Sequence, residues 1–364
     1  MTGPSPRSSI HKLQSYKPNF GKSKIKNFIR LSANEGALGA SENAVKALNT
    51  FSINLNRYPP QVSEELIGSI SKRYNLEKKK IILGNGSDEL ISIISQAFLD
   101  KNDEAIYTEF GFLQFPQAIA LSGAKGVVAK DINLTTSVDN ILSKINDKTK
   151  VIFLANANNP TGTYIPKKEV IRLHNSIPSK ILLVYDAAYS EFITNRDYID
   201  GSILAENYEN VIMLRTFSKL HGLASLRLGW GYCSEKIVDC LMRVRGPFSV
   251  NSAAISAGIA AIEDKKFQQK SVRHNLKWMS WMEMQLNSLN LVYQPSVTNF
   301  LLIKFPNSLK KNAQNAEKFL AKRGILVRGM KVYGLDDYIR VSIGNEAENM
   351  LLIKELKTFL EKNE

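Results

Sequence analysis

With 364 residues, 44% of them hydrophobic, the chain can bury one large core or two moderate ones, which excludes disorder on the scale of a domain. Its 48 Lys and Arg outnumber 34 Asp and Glu, and the formal charge of +14 favours anionic ligands. That excess is spread thinly: clusters such as Lys78-Lys79-Lys80 are short and never interleave with aromatics, so no nucleic-acid surface is expected.

In chain order, the first forty or so residues follow no regular pattern and are expected to pack against a later domain or a partner subunit. From about Ile81 to Tyr232 short apolar runs alternate with amphipathic stretches: Ile81–Leu83, Ala105–Tyr107, Gly126–Ala129, Val151–Leu154, Ile181–Tyr185 and Val211–Leu214. Continuous apolar strands separated by helical patterns predict an α/β architecture, a mainly parallel sheet covered on both faces. After Gly84, Leu90, Ile91, Ile94 and Phe98 recur at helical spacing behind Ser87 and Asp88, which suit a helix N-terminus. Beyond about Ser252 a long Lys- and Met-containing helical pattern leads to strands at Asn299–Ile303 and Tyr338–Ile343 and a final helix from about Glu346, read as a smaller α+β domain. Trp278, Met279, Trp281 and Met282 are read as helix packing.

Two cysteines, Cys233 and Cys240, are too few for a disulfide framework and lack zinc spacing, which predicts a cytoplasmic protein without a metal site. Met1 to Lys26 holds no apolar core of signal-peptide length, and no apolar run is long enough for a bilayer, so neither export nor a membrane is expected.

Four segments carry chemistry. Gly84-Asn85-Gly86-Ser87-Asp88 is a glycine-rich turn opening a helix, whose free N–H groups favour phosphate. Asn156-Ala157-Asn158-Asn159-Pro160-Thr161-Gly162 is a tight turn after a strand, either a ligand loop or only a turn. Asp186 closes a strongly apolar strand with Tyr189 three positions on; a carboxylate there either caps a helix or meets a cation such as a protonated pyridine nitrogen. Finally, Thr216-Phe217-Ser218-Lys219 follows a strand, with Arg227 eight residues after the lysine. An amine among hydroxyls and a guanidinium suits a phosphorylated aldehyde cofactor. His221 beside Lys219 is read as supporting, not reacting.

In that order and spacing the four segments resemble the fold-type I aminotransferases that use pyridoxal 5′-phosphate (PLP). The resemblance extends over nearly the whole chain to the histidinol-phosphate aminotransferases, through Leu31-Ser32-Ala33-Asn34-Glu35, Arg57-Tyr58-Pro59, Gly324-Ile325-Leu326-Val327-Arg328 and Tyr338-Ile339-Arg340-Val341-Ser342-Ile343-Gly344. It implies a large PLP domain at about residues 46–260, a small C-terminal domain at 261–364, and an arm at 1–45 that joins the small domain. Lys219 would carry the cofactor as a Schiff base and move protons, and Asp186 would hold the pyridine nitrogen protonated. Asn159 and Tyr189 would face the phenolic oxygen, and Phe110 would stack on the ring. Gly86, Ser87, Asp88, Thr216, Ser218 and Arg227 would hold the phosphate with Tyr58 of a second subunit, which implies a homodimer.

For substrate, the resemblance implies that Arg340 meets the carboxylate of glutamate or 2-oxoglutarate, that Arg328 meets the histidinol phosphate group with Tyr16, and that Asn34 also contacts substrate. Guanidinium groups suit both anions, so the division between the two arginines stays open. Ala187 stands where many relatives have Glu, Gly36-Ala37-Leu38 where Asn-Pro-Tyr is frequent, and Phe110 where Tyr is common. An aromatic amino-acid aminotransferase and a threonine-phosphate decarboxylase remain as alternatives. A regulator with a fused DNA-binding module is disfavoured because no helix-turn-helix precedes Leu31, and a dinucleotide-binding fold because the glycine fingerprint is lacking.

Overall fold

A computed structural model of the chain describes residues 3, 7–11, 13, 28–50 and 56–361. The described strands, in chain order, are β1 (Ile29–Arg30), β2 (Ile81–Gly84), β3 (Glu104–Thr108), β4 (Lys125–Ala129), β5 (Thr149–Ala155), β6 (Leu182–Asp186), β7 (Val211–Thr216), β8 (Gly229–Cys233), β9 (Val292–Gln294), β10 (Phe300–Lys304), β11 (Ile325–Leu326), β12 (Arg328–Gly329) and β13 (Tyr338–Ser342). Seven of them form one sheet in the order β2-β8-β7-β6-β5-β3-β4.

Because successive side chains on a strand point to opposite faces, an unbroken apolar run must bury both. On β5, Ile152 and Leu154 enter one core with Leu183, Tyr185 and Met213. Val151 and Phe153 enter the other with Val184, Ile212 and Leu214. Each fully buried aliphatic side chain there contributes about 1.5–3 kcal/mol. Helices close both faces, among them Ser87–Phe98, which turns Leu90, Ile91 and Ile94 inward as its spacing predicts.

The sheet is parallel except at β8, which runs antiparallel to both β2 and β7. The segment between β7 and β8 contains only a short 3-10 turn at Ala224–Leu226, so the chain doubles back instead of crossing over, and Lys219 sits on that return. The carboxyl ends of β2, β3, β5, β6 and β7 therefore open on a common edge, the place where α/β sheets bind ligands.

A second core gathers Trp278, Met279 and Met282 from the long helix Lys265–Ser288, with Leu301, Ile303, Ile339 and Val341 of an antiparallel sheet ordered β12-β13-β10-β9. Leu31 joins this core, β1 pairs in parallel with β11, and the Ser342 N–H donates to the Leu31 carbonyl at 2.8 Å. The early segment thus packs on the C-terminal sheet and brings Asn34 alongside Ser342. No helix among the described residues is long and apolar enough to cross a membrane.

Candidate active site

The turn from β2 into the helix Ser87–Phe98 is tight enough to require glycine. Gly86 has φ +80°, and a Cβ there would lie 2.6 Å from Nη2 of Arg227. Gly229, on β8, passes so close beneath that its Cβ would meet the Ser87 nitrogen at 2.4 Å. The helix N-terminus, with N–H groups unpaired by the helix itself, is thereby pressed against the β7–β8 return. Arg227 donates through Nη1 to Ser218 Oγ at 3.3 Å and the Ala224 carbonyl at 3.0 Å, and through Nη2 to Asp88 Oδ2 at 2.8 Å. Ser87, Asp88, Thr216, Ser218 and Arg227 line one end of a cleft of about 220 Å³, in which Lys219, Asp186, Tyr189, Asn159, Glu35 and Phe112 complete the wall. That end is an anion cradle of backbone N–H groups, hydroxyls and one guanidinium.

Lys219 reaches the cleft with its Nζ donating to the Ala33 carbonyl at 3.1 Å. Burial lowers its pKa to about 8, Arg340 and Arg227 push the same way, and Asp88 and Glu35 oppose them. Asp186 closes β6, is 5% exposed, and accepts from the Ala188 N–H at 3.0 Å. Burial raises it to about 7, Asp88 adds to the rise, and the Ala188 N–H and Lys219 only partly offset it. Among the described residues no Lys, Arg or His forms an ion pair with this carboxylate, so it is suited to a cationic ring nitrogen.

Tyr189 is buried, which pushes its hydroxyl well above the usual range, and it accepts from Asn34 Nδ2 at 2.9 Å. Asn159 accepts through Oδ1 from Nη1 of Arg340, which leaves its amide N–H groups as donors. Arg340 also donates to the Ser32 carbonyl at 2.8 Å and lies 5.3 Å from the Phe300 ring. Arg328 is the direct register partner of Arg340 on the neighbouring strand, so the two guanidinium side chains leave the same face of the sheet.

Two of the expected residues lie elsewhere than in the wall of the cleft. Phe110 does not line the cleft; its ring packs against Leu302, Met330 and Leu335, because its backbone is fixed by its N–H to Asp131 Oδ2 at 3.0 Å and by Asn158 Nδ2 to its carbonyl at 3.0 Å. Phe112, two residues on, does line the wall, in edge contact with Phe115 at 5.9 Å. Asn34 is 1% exposed with φ +55°, and its amide nitrogen donates to the Tyr189 hydroxyl. Tyr58 is 82% exposed, lies outside its own chain's cleft and stacks on Phe248 at 4.7 Å. Tyr16 lies outside the described residues. His221 is 2% exposed, with its ring 4.8 Å from Phe217, and burial lowers it to about 4, so it stays neutral. Sequence reasoning passed over Phe112, whose spacing to Phe115 was the available signal, and the buried Arg215 with its partners Glu191 and Asp200.

Residues 26–356 match the family model for aminotransferase class I and II. Histidinol-phosphate aminotransferase of Paramagnetospirillum magneticum is 44% identical over 99% of both chains, and that of Maricaulis maris 43% identical over 98% of both. In fold, the crystal structure of histidinol-phosphate aminotransferase from Sinorhizobium meliloti in complex with pyridoxal-5′-phosphate superposes with a TM-score of 0.87 over 92% of this chain and 91% of that one, at 24% identity. A match that spans both cores and the cleft between their motifs means that the chain belongs to aminotransferase class I and II, among the histidinol-phosphate aminotransferases.

Proposed function

We propose that the protein is a PLP-dependent aminotransferase that interconverts L-histidinol phosphate and 2-oxoglutarate with imidazole acetol phosphate and L-glutamate, working as a homodimer. The observation that carries this reading is the convergence, in one cleft, of an anion cradle, an amine lowered to about 8 and a buried carboxylate raised to about 7.

The donor set fits PLP end to end. The Ser87 and Asp88 N–H groups, the Thr216 and Ser218 hydroxyls and Arg227 would hold the phosphate, joined by Tyr58 of the second subunit. Phe112 would cover the ring, Asp186 would keep its nitrogen protonated, and the Asn159 amide and Tyr189 hydroxyl would donate to its phenolic oxygen. PLP held in this way supplies an aldehyde carbon that exchanges oxygen for the substrate's nitrogen, and a cationic ring that draws electron density from the substrate Cα.

Lys219 then acts as the acid–base group. Its Nζ would take up and carry the proton of the substrate Cα, and a pKa near 8 leaves a useful neutral fraction at working pH. Arg340 would take the carboxylate of 2-oxoglutarate, and Arg328, on the same face, the phosphate end of histidinol phosphate.

The test is turnover of the PLP-loaded protein with 2-oxoglutarate and, side by side, L-histidinol phosphate, L-phenylalanine and L-threonine phosphate. Preference for histidinol phosphate with glutamate formed is the expected result. Preference for phenylalanine, or carbon dioxide release from threonine phosphate, would overturn the substrate and keep the cofactor chemistry.

A further inference from the structure

Behind the central sheet lies a buried ion cluster that the reaction just described does not use. Arg215 is the penultimate residue of β7 and is 4% exposed. Its neighbour Leu214 faces one core, while the Arg215 guanidinium lies on the opposite face, 4.7 Å from the Tyr74 ring and 5.8 Å from that of Trp230. Nη1 donates to Glu191 Oε1 at 3.1 Å and Nη2 donates to Asp200 Oδ2. Asp200 is itself fixed by the Ser202 N–H at 3.0 Å and hydroxyl at 2.6 Å.

The placement of these partners along the chain gives the cluster its meaning. Glu191 lies in the turn Ser190–Phe192 that continues directly from Tyr189, while Arg215 is contiguous with Thr216, Ser218 and Lys219. One guanidinium therefore joins the segment that would hold the cofactor ring to the segment that would hold its phosphate and reacting carbon. The β6–β7 ladder reaches only the Asp186 and Leu214 pair, and the Ala187 N–H to Leu214 carbonyl bond at 2.9 Å is the next tie. Beyond that point the cluster takes over from the backbone. Stability alone does not account for it, since apolar replacements of a buried ion cluster are often neutral or stabilising. A planar fork that meets two carboxylates at once does fix direction as well as distance.

We propose that Arg215, with Glu191 and Asp200, is a positioning residue that fixes Asp186 and Tyr189 relative to Lys219, so that loosening it degrades the reaction step more than substrate binding. This rests on the PLP reading above. The test compares wild type, Arg215→Lys, Glu191→Gln and Asp200→Asn as PLP-loaded full-length protein. Three quantities are read: the midpoint of the pH titration of the bound cofactor's visible absorbance, kcat against KM, and the melting temperature of the cofactor-free form. The expected result is a midpoint moved by about half a pH unit or more. With it, kcat falls about tenfold or more while KM stays within about threefold, because small misplacements act on the reacting geometry. If Arg215→Lys does not fold, the two carboxamide variants, which each leave the guanidinium one ionic partner, carry the test. Variants that lower the melting temperature while midpoint and kcat match wild type would overturn the proposal and make the cluster structural only. A wild type that develops no visible absorbance with PLP would overturn the cofactor reading itself, and the two failures are therefore told apart.

Discussion

The two ends of the cleft are built by different means. At the cradle end each residue sits in a short contiguous motif of the large sheet, and Gly86 and Gly229 let those motifs press together so that Arg227 reaches Asp88 across 139 positions. At the substrate end the contacts are long-range: Arg340 reaches Asn159 across 181 positions and the Ser32 carbonyl across 308. The first end is built wholly from segments that flank the seven-stranded sheet. The second exists only when the C-terminal sheet, the early segment and the Asn158–Gly162 turn meet.

Breaking the first end at its reacting group gives the largest effect. Lys219→Ala should lower turnover by roughly 10²–10⁴-fold, the range of a lost acid–base group. The visible absorbance of covalently held PLP should disappear while the variant still retains the cofactor non-covalently, as a spectrum after gel filtration will show. An unchanged absorbance would mean that another lysine is the attachment point.

The second end should fail separately. Arg340→Met removes the buried guanidinium proposed to meet the substrate carboxylate, and should raise KM for 2-oxoglutarate about a hundredfold. The Lys219 absorbance should remain in place. Equal loss of cofactor and substrate affinity would show that the Arg340 bond to Asn159 makes the two ends one unit, and steady-state kinetics with spectral titration decides it.

The same contrast explains what could be read from the sequence. The strands at Ile81, Ala105, Val151, Ile181 and Val211 were legible because parallel strands buried on both faces must be apolar throughout. The phosphate cradle and Asp186 were legible because each depends on a few adjacent residues. Strand β8, Gly229-Trp230-Gly231-Tyr232-Cys233, was not anticipated as an antiparallel member: its glycines weaken the strand pattern and serve close approach to Ser87 and to Ile82 and Leu214. The two-residue strands β1, β11 and β12 have no period to detect. Arg215 was hidden for another reason. Its sequence neighbours advertise the cleft, while its own partners, Glu191 and Asp200, are brought to it only by the fold.

Asp186 offers a sharper probe of the first end through pH. An unfolded aspartate titrates near 3.8 and Asp186 near 7, so between those values the folded, cofactor-free protein binds more protons than the unfolded chain. Its stability should therefore fall as pH rises through that window and stay low above it. Asp186→Asn removes the titration. The stability difference between the cofactor-free variant and wild type should grow in the variant's favour by about 4 kcal/mol from pH 4 to pH 8, measured by denaturant unfolding. A difference independent of pH would mean that the carboxylate is solvated in the cofactor-free protein and that no buried charge awaits a ring nitrogen.

The smallest effect concerns the two phenylalanines that flank Gly111. Phe112 lines the cleft, whereas Phe110 packs with Leu302, Met330 and Leu335. Phe112→Leu keeps most of the apolar area but loses ring stacking, and should weaken PLP binding about three- to tenfold, from the 0.5–1.5 kcal/mol of an aromatic pair. Phe110→Leu should leave the cofactor's affinity and spectrum unchanged and lower the melting temperature instead, because its contacts lie with the C-terminal sheet. Fluorescence titration of the cofactor-free proteins with PLP separates the two. The reverse ranking would return the stacking role to Phe110, and would mean that the turn after β3 rotates by two residues when the cofactor enters, so that this part of the cradle is shaped by its ligand and not by the local backbone.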